Sequence, residues 1–180
     1  WLARLELDQG NIPQALKVLE PFQKTSSRAR LLVGSILLDR GATAEVRKLA
    51  GQVARDEPTN AEVWNLLGLT DLSAGSPADA VVNFGKAIEL RPNGALYRVN
   101  LARAYMVAGD DEAAAEAMTA ARQLEPGLLQ LQSLEFLRFA RRGQLDEARK
   151  VLDGIRAAGL GDETLYDSME AELLVAPSAA

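Results

Sequence analysis

The sequence predicts an all-α fold, an α-α superhelix in which antiparallel helix hairpins stack as a solenoid. Three ladders of residues predict it. Glycines fall at Gly10, Gly41, Gly75, Gly109 and Gly143, at spacings of 31, 34, 34 and 34. Five residues beyond each glycine sits a small or medium apolar residue: Ala15, Val46, Ala80, Ala114 and Ala148. Prolines recur at Pro58, Pro92 and Pro126. A fixed period of this length is the mark of a repeat array in which each unit is one supersecondary motif. Composition agrees: the chain is 48% hydrophobic but only 5% aromatic, and alanine and leucine suit close-packed helices better than a sheet.

The elements follow in order. Residues 1–26 read as a truncated unit carrying Gly10, Ala15, Leu19 and Phe22. Its junction to the next unit is three residues short, with Pro21 in or at the end of the second helix; an early helix end and an altered angle between the first two hairpins are expected. The unit 27–60 carries Val33, Gly34, Leu37, Val46, Ala50, Val53 and Pro58. In 61–94, Trp64, Leu67, Gly68 and Leu72 recur at the helical period. Gly75 stops the first helix by accepting positive φ. Ser76 is the expected N-cap and Pro77 fits the first turn of the second helix. Ala80, Phe84 and Ala87 mark its apolar stripe, and Pro92 ends it. The unit 95–128 repeats this with Leu101, Ala102, Tyr105, Ala114, Met118, Ala121 and Pro126. The unit 129–162 has Phe136, Phe139, Ala148, Leu152 and Ile155, and its register is the least determined because Glu135 stands where Leu67 and Leu101 stand. One further, capping helix is expected over 163–174, then a tail, 175–180.

The string Trp64, Leu67, Gly68, Ala80, Phe84, Ala87, Pro92 resembles the tetratricopeptide repeat family, and the Ala-, Leu-, Gly- and Asp-rich style resembles bacterial members. The likeness covers nearly the whole chain. Departures are Asp71, at a place the family usually fills with an aromatic residue, and Arg30, Arg98 and Gln132, which replace Trp64. The resemblance implies a non-enzymatic scaffold or adaptor whose first helices line a concave, protein-binding groove. Carried onto this chain, the groove positions used as candidate contacts are Asn65, Leu69, Leu72, Leu96, Val99, Asn100, Arg103, Met106, Leu137 and Arg141. With Leu31 and Leu38 these form a broad apolar strip, which either accepts an amphipathic or extended segment or packs against neighbouring helices. Asn65, Asn100 and Arg103 add hydrogen-bonding capacity. The carboxylate clamp of heat-shock co-chaperones is not matched: its places hold Asn65, Leu69, Asn100, Gln130 and Leu134, of which only Asn100 fits.

Chemistry is sparse. The chain has no cysteine and no histidine, so thiolates, disulfides and the usual neutral-pH base and metal ligand are missing. A Ser-His-Asp constellation cannot be assembled, and no phosphate-cradling glycine motif occurs. Asp110, Asp111 and Glu112 read as a helix start complementing the dipole and not as a calcium loop. Catalysis, cofactors and metals are therefore not expected. Net charge is −5, with no cationic stripe to follow a phosphate backbone, so nucleic acid is not an expected partner. No apolar run reaches the roughly 20 residues of a membrane span.

The expected partner is a protein or peptide, with self-association through exposed array ends as an alternative. The chain starts at Trp1 apparently inside a helix and reads as a piece of something longer. A structural module of an envelope export or exopolysaccharide-secretion protein, or a regulatory region of a larger enzyme, are the remaining alternatives. Composition does not separate a bacterial cytoplasm from the periplasm.

Overall fold

The computed structural model describes residues 1–175, which fall in two compact units, the first Trp1–Pro92 and the second beginning at Asn93. All regular elements among the described residues are helices.

The first unit holds three antiparallel hairpins: α1 (Leu2–Asp8) with α2 (Ile12–Leu19), α3 (Ser27–Asp39) with α4 (Thr43–Asp56), and α5 (Ala61–Ser73) with α6 (Pro77–Leu90). Helix α2 ends early, as expected, and Pro21 lies in a short 3-10 turn, Glu20–Phe22. The turn suits a residue that has a fixed φ and no N–H. Helix α5 packs on both α3 and α4, so consecutive hairpins share a core. That core runs from Ala3, Leu19, Val33 and Ile36 to Val46, Val53, Val63 and Leu66.

The second unit holds α7 (Ala95–Ala108) with α8 (Asp111–Leu124), α9 (Leu129–Arg141) with α10 (Leu145–Ala157), and α11 (Glu163–Val175). Val99, Ala102, Met118, Ala121, Leu131 and Leu134 fill the space between the first three. Phe136, Ala148, Leu152, Ile155, Tyr166 and Met169 fill the space between the last three. The expected tail lies outside the described residues except for Val175.

The ladders explain the hairpins. Ala15, Val46, Ala80, Ala114 and Ala148 are each 0% exposed, since the second helix meets the first there and tolerates little bulk. All five ladder glycines have positive φ; Gly109, at φ 81, closes α7 in the left-handed region that other residues avoid. Gly68 serves contact instead. A Cβ there would stand 2.6 Å from Cε1 of the buried Phe84 ring.

Caps partly differ from expectation. Ser76 is the N-cap of α6, but its hydroxyl makes no capping bond. Ser26, Asn60, Asp110 and Asp162 do the capping, accepting from the N–H groups of Ala29, Glu62, Ala113 and Leu165. Asp110 thus caps α8, with Asp111 and Glu112 in its first turn, and no cluster of metal-ligating side chains occurs among the described residues.

Candidate protein-binding face

The first helix of each hairpin turns one stripe outward. In α7 the stripe is Leu96, Arg103 and Val107, at i, i+7 and i+11, which share one side of a 3.6-residue helix. Shifted by the repeat, the same stripe is Gln130, Leu137 and Arg141 in α9, Glu62, Leu69 and Ser73 in α5, and Arg28, Ser35 and Asp39 in α3. All twelve are exposed or half-buried.

The sequence-derived contact residues divide accordingly. In the first unit, Asn65, Leu69 and Leu72 are half-buried on α5. In the second unit, α7 and α9 touch, which brings Leu96, Arg103, Met106, Leu137 and Arg141 onto neighbouring helices. Leu96 is 40% exposed; Arg103 and Arg141 are exposed; Met106 and Leu137 are half-buried. Two expectations need correction. Val99 is 0% exposed and lies inside the α7–α8–α9 core, and Asn100 is 4% exposed. Leu31 is likewise buried, in the core of α3, α4 and α5. They sit one helical step off the outward stripe, where a helix in a stacked array meets its neighbours. The broad apolar strip is therefore narrower than its sequence suggests. Conversely, Val107 is absent from the sequence-derived contacts yet is 52% exposed; its spacing of four from Arg103 is the signal that finds it.

Charge is distributed unevenly. Helices α7 and α9 together carry Arg98, Arg103, Arg138 and Arg141 against a single acid, Glu135. Glu135 is held by Arg122 of α8. Arg142 pairs with Asp111 at 3.6 Å and Arg156 with Glu170 at 2.8 Å. Arg103 and Arg141 have no hydrogen bond or ion pair among the described residues.

A concavity of about 870 Å³ lies in the first unit where α3, the α4–α5 link and the end of α6 meet. Glu57 there accepts from the Ser27 hydroxyl at 2.5 Å and the Asn60 amide at 2.9 Å. These two bonds hold its carboxyl below its ordinary range, against a smaller opposing effect of partial desolvation. Arg30, in place of Trp64, bonds Asp56 at 2.9 Å and Ser27 at 3.2 Å. Trp64 itself donates to the Pro58 carbonyl at 2.8 Å and lies under the Lys86 ammonium, 3.4 Å from the ring centre. These bonds knit α3, the α4–α5 link and α5 to one another.

Paired antiparallel helices, a glycine at each hairpin turn and a variable outward stripe define a helical-repeat protein. The chain belongs to the tetratricopeptide repeat family, whose profile matches residues 2–62 and 65–128. Among solved structures it is similar to TTC0263, a thermophilic tetratricopeptide protein of Thermus thermophilus. That likeness has 17% identity, covers 97% of this chain and 96% of that one, and has a TM-score of 0.86. It is also similar to a MamA fragment from Desulfovibrio magneticus RS-1 (22% identity, 71% and 73% covered, TM-score 0.60). A third likeness is to the human IFIT1 dimer with PPP-AAAA, at 17% identity, 96% of this chain, 43% of that one and a TM-score of 0.77. No curated protein sequence matches.

Proposed function

We propose that this chain is a non-catalytic binding module that holds a partner protein through the outward stripes of the first helices within each unit. One observation carries this reading. The positions that build the hairpins hold the same kind of residue in every repeat, whereas the outward stripe changes chemistry from repeat to repeat. Ala15, Val46, Ala80, Ala114 and Ala148 are all small or medium, apolar and fully buried. The outward positions run Arg28, Glu62, Leu96, Gln130 and Ser35, Leu69, Arg103, Leu137. A surface with a uniform frame and varied contacts is what sequence-specific recognition requires. Fold likeness to family members supports a scaffold role.

A photo-crosslinking residue placed at 69, 103 or 137 is expected to form adducts with a partner protein in cells. The same residue at Val82, 70% exposed on the second helix α6, is expected to form none. Adducts from position 82 alone would place recognition elsewhere.

A second reading, self-association through the first hairpin, is favoured by Trp1, Leu2, Leu5 and Phe22, all exposed. Sedimentation should then show association that Leu5→Glu abolishes.

A further inference from the structure

We infer that the α7–α9 face of the second unit selects an acidic, amphipathic protein segment. This rests on the binding-module reading and names the chemistry of the partner. Three observations carry it. First, the charge of the second unit is uneven from helix to helix. The first helices α7 and α9 hold four arginines and one glutamate, whereas α8, α10 and α11 hold ten acids and four bases. Second, the one acid on α7 and α9 is withdrawn. Glu135 is bound by Arg122 of α8, and no acid stands within one turn of Arg103 or Arg141 on their own helices. Arg122 and Arg156 are paired, but Arg103 and Arg141 are exposed and unpaired among the described residues. Third, the side chains beside them are apolar. Leu96 and Val107 flank Arg103 on the exposed stripe of α7, and Leu137 lies one turn before Arg141 on α9.

Each arginine therefore stands beside apolar surface with a guanidinium free to take a carboxylate in a planar fork. An acidic segment with apolar residues between its acids satisfies both. A basic segment would be repelled, and a neutral apolar one would leave the guanidiniums without partners while covering them. Two arginines with no aromatic ring beside them on the stripe make a poor track for nucleic acid, which needs several phosphate contacts or stacking platforms.

The test uses the whole chain and a phage-displayed library of random peptides about 15 residues long, enough for four helical turns. Enriched peptides should be acidic with interspersed apolar residues. A synthetic copy of the best one should bind more weakly as ionic strength rises. Arg103→Glu and Arg141→Glu should each weaken it by at least about tenfold, with circular dichroism unchanged. Arg149→Glu, at an exposed position of α10, should leave binding unaltered. The milder Arg103→Gln and Arg141→Gln should give a smaller loss in the same direction.

Enriched peptides that are neutral or basic, yet are lost on Leu69→Asp or Leu137→Asp, would overturn the charge selection while supporting the binding-module reading. Peptides insensitive to every outward-stripe change, or no enrichment at all, would overturn both. A single-stranded oligothymidylate that binds and competes with the peptide would reassign the face to nucleic acid. A dimer of the unliganded chain, dissolved by Arg103→Glu and Arg141→Glu, would reassign it to the acidic α11 of a second copy.

Discussion

The same repeat position is solved differently in the two units. In α5 it is Asp71; in α7, one repeat later, it is Tyr105. Asp71 is 0% exposed and its two oxygens are taken by Arg47 of α4 at 2.7 Å and Asn83 of α6 at 2.6 Å. One carboxylate thus ties three helices of the first unit together. In the second unit Tyr105 is half-buried on the α7–α8–α9 core, and the position of Asn83 is held by Ala117, which is buried and apolar. A neighbouring pair shows the same exchange. Gly68 faces Phe84 in the first unit, where Ala102 and Met118 stand in the second. The lesson is that the repeat conserves volume and satisfied polarity at a site and leaves the residue type free, provided its partners change with it.

Breaking the staple is the largest test. Asp71→Ala leaves the Asn83 amide without its acceptor, frees Arg47 and opens a small void. The expected loss is about 2–3 kcal/mol in denaturant unfolding, below the full figure for a buried pair because Arg47 is half-exposed. Asp71→Tyr with Asn83→Ala transplants the second unit's arrangement and should recover at least half of that loss. If the double variant is worse than Asp71→Ala, the two solutions are not interchangeable and the comparison fails.

The glycine pair comes next. Gly68→Ala drives a Cβ into the Phe84 ring, which is fully buried and has no room to swing aside. A loss of about 2 kcal/mol is expected. Adding Phe84→Met copies Ala102 and Met118 and should restore much of it. Gly34→Ala meets mainly the tip of Leu66, with Cδ2 at 2.7 Å, a flexible end that can turn. Its cost should stay under about 1 kcal/mol, since alanine also favours the helix. Thermal midpoints ordered Gly68→Ala above Gly34→Ala would contradict this account of packing.

How far the sequence carries is visible in these same residues. The hairpins are legible because a turn glycine and a buried alanine are local demands repeated at 34-residue steps. The outward stripe is legible at Arg103, Leu137 and Arg141. It is not legible at Val99 and Asn100, whose burial is set by residues outside their own helix. Asp71 stands out as a departure, but its partners Arg47 and Asn83 lie 24 and 12 residues away. Nothing local to Asp71 marks them as its ligands. Ser26 caps α3 locally, whereas Ser27 lies inside α3 and donates to a residue 30 positions on. Long-range polar pairing has no period, so a period-based reading finds the frame and misses the rivets.

The smallest effect concerns that Ser27 contact, and it also has a counterpart in the second unit. Repeat 27–60 brings Ser27 and Asn60 to Glu57, where repeat 95–128 has Ala95 and Leu128 beside Glu125. The Ser27 hydroxyl is the main cause, and the Asn60 amide the next, of the lowered Glu57 pKa. A carboxylate whose folded value lies below its unfolded one stabilises the fold above the unfolded value. That contribution disappears as pH falls through the folded value. Carbon-detected titration should therefore put the Glu57 midpoint below its ordinary 4.5. Ser27→Ala, which makes this repeat resemble the later one, should move it upward, and adding Asn60→Leu should move it further. The stability gap between wild type and the double variant should hold steady above that ordinary value and narrow below it. It should remain small, because the carboxylate is open to solvent and screened. A midpoint that ignores both substitutions would show that the hydroxyl and amide do not tune Glu57.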